Sequence, residues 1–194
     1  MDLNELKDKS YKLVREHGFH DKKLSDDYYL MLVLAEAAKA FEADQKGKYF
    51  KGKMVFGTEF NRYSVISDEE KRFICAFEKC IKDTVSDKLV DVVIYLLALA
   101  SLRDIDLKDS DEAWEEIISS IRPDAKNIYS FAELMFNVCK NIIIESDSIE
   151  NTIYTTLGLL KVICHIYEID IEWHIEQKIR YNFFWEKIYG AIKN

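Results

Sequence analysis

The stretch Leu89–Leu102, LVDVVIYLLALASL, decides the fold: it is a 14-residue apolar run whose single charge is Asp91. A membrane span needs about 20 such residues, so the run reads as a helix apolar nearly all round, buried inside a protein. Tyr28–Phe41, YYLMLVLAEAAKAF, has the same character and carries only Glu36 and Lys39 as charges. Around these runs lies a chain of 194 residues, 48% hydrophobic, with six glycines and one proline. A sandwich or barrel needs a turn signal every ~8–12 residues, and the chain has far too few. It reads as one all-α domain with a sizeable core.

Helical spacing of Leu3, Leu6, Leu13 and Val14 predicts a first helix over about 3–16, stopping near Gly18. A second opens with Ser25 or Asp26 as N-cap and runs to about Gln45. Residues 46–67 hold three of the six glycines and read as a long loop with room for a short hairpin. A third helix starts near Ser67, with Glu70 in a capping-box relation, and a break near Thr84 precedes a fourth reaching about Arg103. Further helices are expected at about 110–121, 128–145, 149–167 and 170–188, with Pro123 as the one sharp stop. LRDIDL at 102–107 resembles YEIDI at 167–171 at an offset of 64, so the second half looks like a duplicated helical hairpin.

With 27 basic and 35 acidic residues the net charge is −8, which repels phosphate backbones and excludes duplex nucleic acid as the main partner. The opening MDLNELKDKS has no apolar segment of the kind a signal peptide requires, so a cytoplasmic protein without a membrane anchor is expected. Cys75, Cys80, Cys139 and Cys164 show no CxxC pairing and read as small core residues. His165 and His174 lack a carboxylate cluster at metal-ligand spacing and read as structural; His17 and His20 flank the Gly18 turn.

Chemistry is expected where charge interrupts the apolar helices. Glu36 and Lys39 are i,i+3, as are Lys88 and Asp91, so each pair shares a helix face. A charge on a buried helix must be paired, bind a cation or face a cleft, which leaves two readings, a polar site between two helices or interhelical salt bridges with no ligand. Lys46–Tyr63 adds five basic residues against Glu59, interleaved with Tyr49, Phe50, Phe56, Phe60 and Tyr63. Lying between the two motif helices, it is placed to close over an anionic or nucleotide ligand, or to pack its aromatics on the bundle.

AEAAKAFEAD (Ala35–Asp44) followed by DKLVDVVIYLLALA (Asp87–Ala100) resembles the two halves of the signature of the MazG-like all-α NTP pyrophosphohydrolases. Gly18, Phe19, His20 and Asp21 before the second helix are also similar, as is the C-terminal pattern of Ile169–Ile171, His174–Glu176, Lys178, Tyr181 and Asn182. The resemblance covers about 1–104 and 169–182, with 105–168 an inserted or duplicated hairpin and 169–194 a C-terminal helix. It implies a helical bundle, a homodimer, and ExxE and ExxD carboxylates holding Mg²⁺ against a triphosphate. Glu36 and Asp91 fall on metal positions. Lys178 and Asn182, at i,i+4, fall where the family contacts phosphate and metal-bound water.

Two departures change the expectation. Lys39 stands at the second acid of ExxE and Lys88 at the first of ExxD, so the local charge moves from ~−4 to ~0 and hard Mg²⁺ loses its ligands. Trp185 replaces the family arginine three residues past the asparagine, and Phe183, Phe184, Trp185 and Tyr189 read as a hydrophobic anchor. The resemblance therefore implies a non-catalytic relative binding nucleotide or a protein partner, with no confident catalytic residue. The alternatives are an active Mg²⁺-dependent (d)NTP pyrophosphohydrolase releasing pyrophosphate, and an unrelated helical interaction module.

Overall fold

The computed structural model describes residues 3–16, 25–107, 110–122, 124–144 and 148–189. Among them every regular element is helical: α1 (Leu3–Glu16), α2 (Asp26–Gln45), α3 (Lys53–Arg62), α4 (Glu69–Cys80), α5 (Val85–Leu102), α6 (Ser110–Ser119), α7 (Ala125–Ile128), α8 (Phe131–Ile143), α9 (Ile149–Ile166) and α10 (Ile171–Tyr189). No described helix is long and apolar enough to cross a membrane. The decisive run forms the central helix α5, on which α1, α2, α9 and α10 pack. Leu89, Val90, Val92, Leu96, Leu97 and Leu99 are fully buried on it, and each such aliphatic side chain contributes about 1.5–3 kcal/mol when taken out of water.

Capping chemistry sets the boundaries. Ser25 caps α2, Thr84 caps α5 and Ser148 caps α9, each hydroxyl accepting a backbone N–H of the first turn. Helices α5 and α9 both end in a left-handed residue, Asp104 (φ 55°) and Glu168 (φ 55°). Ile105 N–H then donates to Ala100 O at 2.9 Å and Ile169 N–H to Cys164 O at 2.8 Å, the Schellman closure.

Three expectations are corrected. Residues 46–67 are not a long loop with a hairpin, because α3 and a 3₁₀ turn (Tyr63–Val65) fill most of them. Gly47 (φ 62°) and Gly52 (φ 102°) do serve turns, but Gly57 sits inside α3 at a propensity cost of about 1 kcal/mol. Burial of Phe56 against Phe73 and Trp173 offsets that cost, with ring centroids 5.8 and 5.7 Å apart. The cap of α4 is Asp68, not Ser67, its carboxylate accepting from Glu70 and Lys71 N–H. The helix expected over 128–145 is α8 and starts only at Phe131, since Ser130 and Glu133 form a capping box there, and the short α7 precedes it. His17, His20, the Gly18–Asp21 turn and Pro123 lie outside the described residues.

A second apolar cluster centres on Phe73, Ile74, Phe77, Ile81 and Tyr181, with Phe184 and Trp185 packed against it. Two of the four C-terminal aromatics thus anchor α10 on α4, while Phe183 and Tyr189 are exposed.

Candidate functional site: an ion cluster on the central helix

The polar face of α5 begins at its cap. Asp83 takes a left-handed conformation (φ 62°), which turns its N–H onto Asp87 Oδ2 at 2.9 Å. Thr84 Oγ1 donates to Ile81 O at 2.6 Å and accepts Asp87 N–H at 3.3 Å. These bonds fix Asp87, 1% exposed, at the bottom of the site. Asp91 lies one turn further along α5, and α10 brings Lys178 between the two acids. Its Nζ is 2.7 Å from Asp87 Oδ1 and 2.9 Å from Asp91 Oδ1. Lys88 reaches Asp83 at 3.1 Å, Asp87 at 3.3 Å and Asp91 at 3.6 Å. Two ammonium groups therefore hold three carboxylates.

Burial drives the titration of this cluster. It pushes the Asp91 carboxyl up to about 6, with Asp87 adding in the same direction against the pull of Lys178 and Lys88. Burial also disfavours the Lys178 and Lys88 ammonium groups, but Asp91 and Asp87 outweigh it and both pKa values are raised. Both lysines are therefore cations at neutral pH.

On α2, Glu36 Oε1 accepts from Lys39 at 2.7 Å, while its buried Oε2 has no hydrogen-bond partner. Glu36 thus pairs within its own helix and not with Lys88. The two helices still share an environment. Burial, then Asp91, then Glu36 push the Tyr95 phenol on α5 up to about 12, and Lys39 and Lys88 line one cleft of about 350 Å³ with Glu42, Lys46, Lys48 and Asp83. Asn182, at i+4 from Lys178, is half-buried and takes no part in the ion cluster.

Asp87 is the acid that sequence reasoning missed. It stands three residues after the Thr84 cap and looks like an ordinary first-turn acid; its distance of four from Asp91 was the available signal. His174 is buried at the edges of Phe50 and Trp173, with centroids 4.7 and 4.8 Å apart. Burial, only partly opposed by Asp170 and Asp87, lowers its pKa to about 4, so it is neutral.

No family model, curated protein or solved structure matches this chain. The implied Mg²⁺ can be tested against the donor set itself. Among the described residues no group of three or more His, Cys, Asp and Glu side chains could hold a metal, and the space between Asp87 and Asp91 is spanned by Lys178. The residues as they stand do not fit the ion.

Proposed function

We propose that this chain is a non-catalytic relative of the MazG-like pyrophosphohydrolases, a cytoplasmic homodimer that binds nucleotide. One observation carries the reading: the Lys178 ammonium bridges Asp87 and Asp91, with Lys88 on the same carboxylates. An ammonium supplies the positive charge that such acids need without the Lewis acidity that activates water. The cleft lined by Lys39, Lys46, Lys48 and Lys88 supports nucleotide binding through Lys48, which no described carboxylate contacts; Lys39, Lys46 and Lys88 are already paired with Glu36, Glu42 and Asp83.

The deciding measurement is Mg²⁺-dependent pyrophosphate release over a panel of canonical and modified (d)NTPs, together with equilibrium binding of the same nucleotides. The expected result is binding without turnover. Turnover abolished by Glu36→Gln or Asp91→Asn would establish the active enzyme instead, and absence of both binding and turnover would leave a helical interaction module. Sedimentation equilibrium tests the dimer.

A further inference from the structure

We infer that the cavity between the 46–52 loop, α3 and the end of α4 is a binding site for a small oligophosphate, recognised by Lys48, Lys51 and Lys79. The cavity is about 560 Å³ and is also lined by Tyr49, Phe50, Glu59, Glu78, Lys82 and Asp83. It adjoins the Lys39–Lys88 cleft, with Lys48 and Asp83 in both walls. The inference rests on these lysines and not on any family relationship.

Charge pairing is the first ground. Each acid of the cavity is already in an ion pair: Glu59 with Arg62 at 3.0 Å, Glu78 with Lys82 at 3.0 Å and Asp83 with Lys88, which it shares with Asp87 and Asp91, at 3.1 Å. Among the described residues no carboxylate pairs with Lys48, Lys51 or Lys79, although the whole protein carries a net charge of −8. Lys48 acts on Glu42 and Asp83 only at longer range, so three ammonium groups without a contacting carboxylate surround one recess and favour an anion there.

Rigidity is the second ground. The loop bearing Lys48 and Lys51 is bonded at each end and in its middle. Lys48 N–H donates to Ala43 O at 2.9 Å, and Lys48 O accepts Val85 N–H at 2.8 Å. The Tyr49 hydroxyl donates to Asp44, its ring stacks on Tyr167 with centroids 6.5 Å apart, and Phe50 stacks on Trp173 at 5.2 Å. The lysines thus project from a preformed frame, which lowers the ordering cost of binding. Tyr49 and Phe50 each already stack one face on a protein ring, which leaves less aromatic surface to select a base. The phosphates carry the recognition, and three cations suit a chain of phosphates better than one orthophosphate. An extended acidic peptide fits the recess less well than a compact polyanion.

Isothermal titration at low ionic strength and without divalent metal, with inorganic tripolyphosphate as the probe, tests this. The parent protein should bind tripolyphosphate more tightly than orthophosphate. Lys48→Gln, Lys51→Gln and Lys79→Gln should each weaken binding roughly tenfold, with Lys48→Arg retaining it. Lys140→Gln on α8, outside both cavities, should leave it unchanged. All the lysines changed are solvent-exposed, so thermal melts should confirm an intact fold for each variant. Three results overturn the proposal: no tripolyphosphate binding by the parent, equal affinity in the Lys48, Lys51 and Lys79 variants, or a preference for a poly-glutamate peptide. Pyrophosphohydrolase activity in the parent would end the non-catalytic reading yet leave this site standing.

Discussion

Helices α5 and α9 are two versions of one element. Each has 18 residues, opens on a capping hydroxyl (Thr84, Ser148) and closes on a left-handed acidic residue (Asp104, Glu168), with every landmark 64 positions apart. Their buried apolar positions match too: Leu89 with Ile153, Val93 with Leu157, Leu96 with Leu160 and Leu99 with Ile163. The polar insets differ. Lys88 corresponds to Thr152 and Asp91 to Thr155. On α9 the need is met nearby: Thr156 Oγ1 donates to Thr152 O at 2.6 Å, and Asn141 Nδ2 from α8 donates to Thr156 Oγ1 at 2.9 Å. The lesson is that the scaffold tolerates either a neutral network or an ionic one at the same depth. Only the ionic version draws in a distant helix, because buried carboxylates require a cation.

The largest expected effect breaks the ionic version. Lys178→Met leaves Asp87 and Asp91 facing each other with Lys88 alone, and should cost about 3–5 kcal/mol in urea unfolding. Adding Asp87→Asn should recover part of that loss; a Lys178→Met cost below ~1 kcal/mol would mean that α5 does not depend on the charge of α10.

A second contrast is pH. The α9 network of Asn141, Thr152 and Thr156 has no titratable group, whereas His174 lies beside the α5 cluster. Its folded pKa is depressed from 6.5 to about 4, so the unfolded chain takes up the proton first and stability falls as pH drops through that window. The loss is on the order of 3 kcal/mol between pH 7 and 4. His174→Phe should flatten this slope. Asp91, whose carboxyl is raised, gives the opposite slope between 3.8 and about 6, so Asp91→Asn should steepen it. Denaturant melts across the pH range read both.

The neutral network should be less sensitive. Asn141→Leu removes two donated bonds, at 2.9 and 3.3 Å, but Thr156 keeps Thr152 O satisfied, so about 1–2 kcal/mol is expected. The smallest effect should come from converting one version into the other. Asp87→Asn, Lys88→Thr and Asp91→Thr with Lys178→Met give α5 the residues of α9 at these positions and remove both lysines and both buried aspartates together, leaving only the exposed Asp83 of the cluster. Stability should then stay within ~1 kcal/mol of the parent, a result that thermal melts would contradict if the combined variant were as damaged as Lys178→Met alone.

Much of this architecture was legible from residue patterns. The first two helices and the Thr84 break follow from apolar spacing and hydroxyl caps, which are local signals. The echo at 102–107 and 167–171, read as a duplicated hairpin, falls on the two Schellman turns. What was hidden depended on distant contacts. Helix α3 carries an internal glycine and forms because Phe56 meets Phe73 and Trp173, residues remote in sequence. Within the candidate site, the pairing of Lys88 with Asp91 was visible as a spacing of three. The bridge from Lys178 was not, because 87 positions separate it from Asp91. Lys178 was expected on phosphate; its ammonium is committed to two aspartates. Asp87 was hidden because first-turn acids are common at helix starts.

The hydrogen bond from Val85 N–H to Lys48 O also partitions the chain. It ties the first turn of α5 to the residues just after α2 and so closes off 48–85, a segment holding α3, α4 and most of the second apolar cluster. Such a segment can detach as a cooperative unit while the α5-centred core stays folded. The Val85 amide sits at its clasp. In hydrogen exchange it should open with the amides of α4, at a lower free energy than those of Leu96 or Leu97, and so mark the seam between a fast lobe and a slow one.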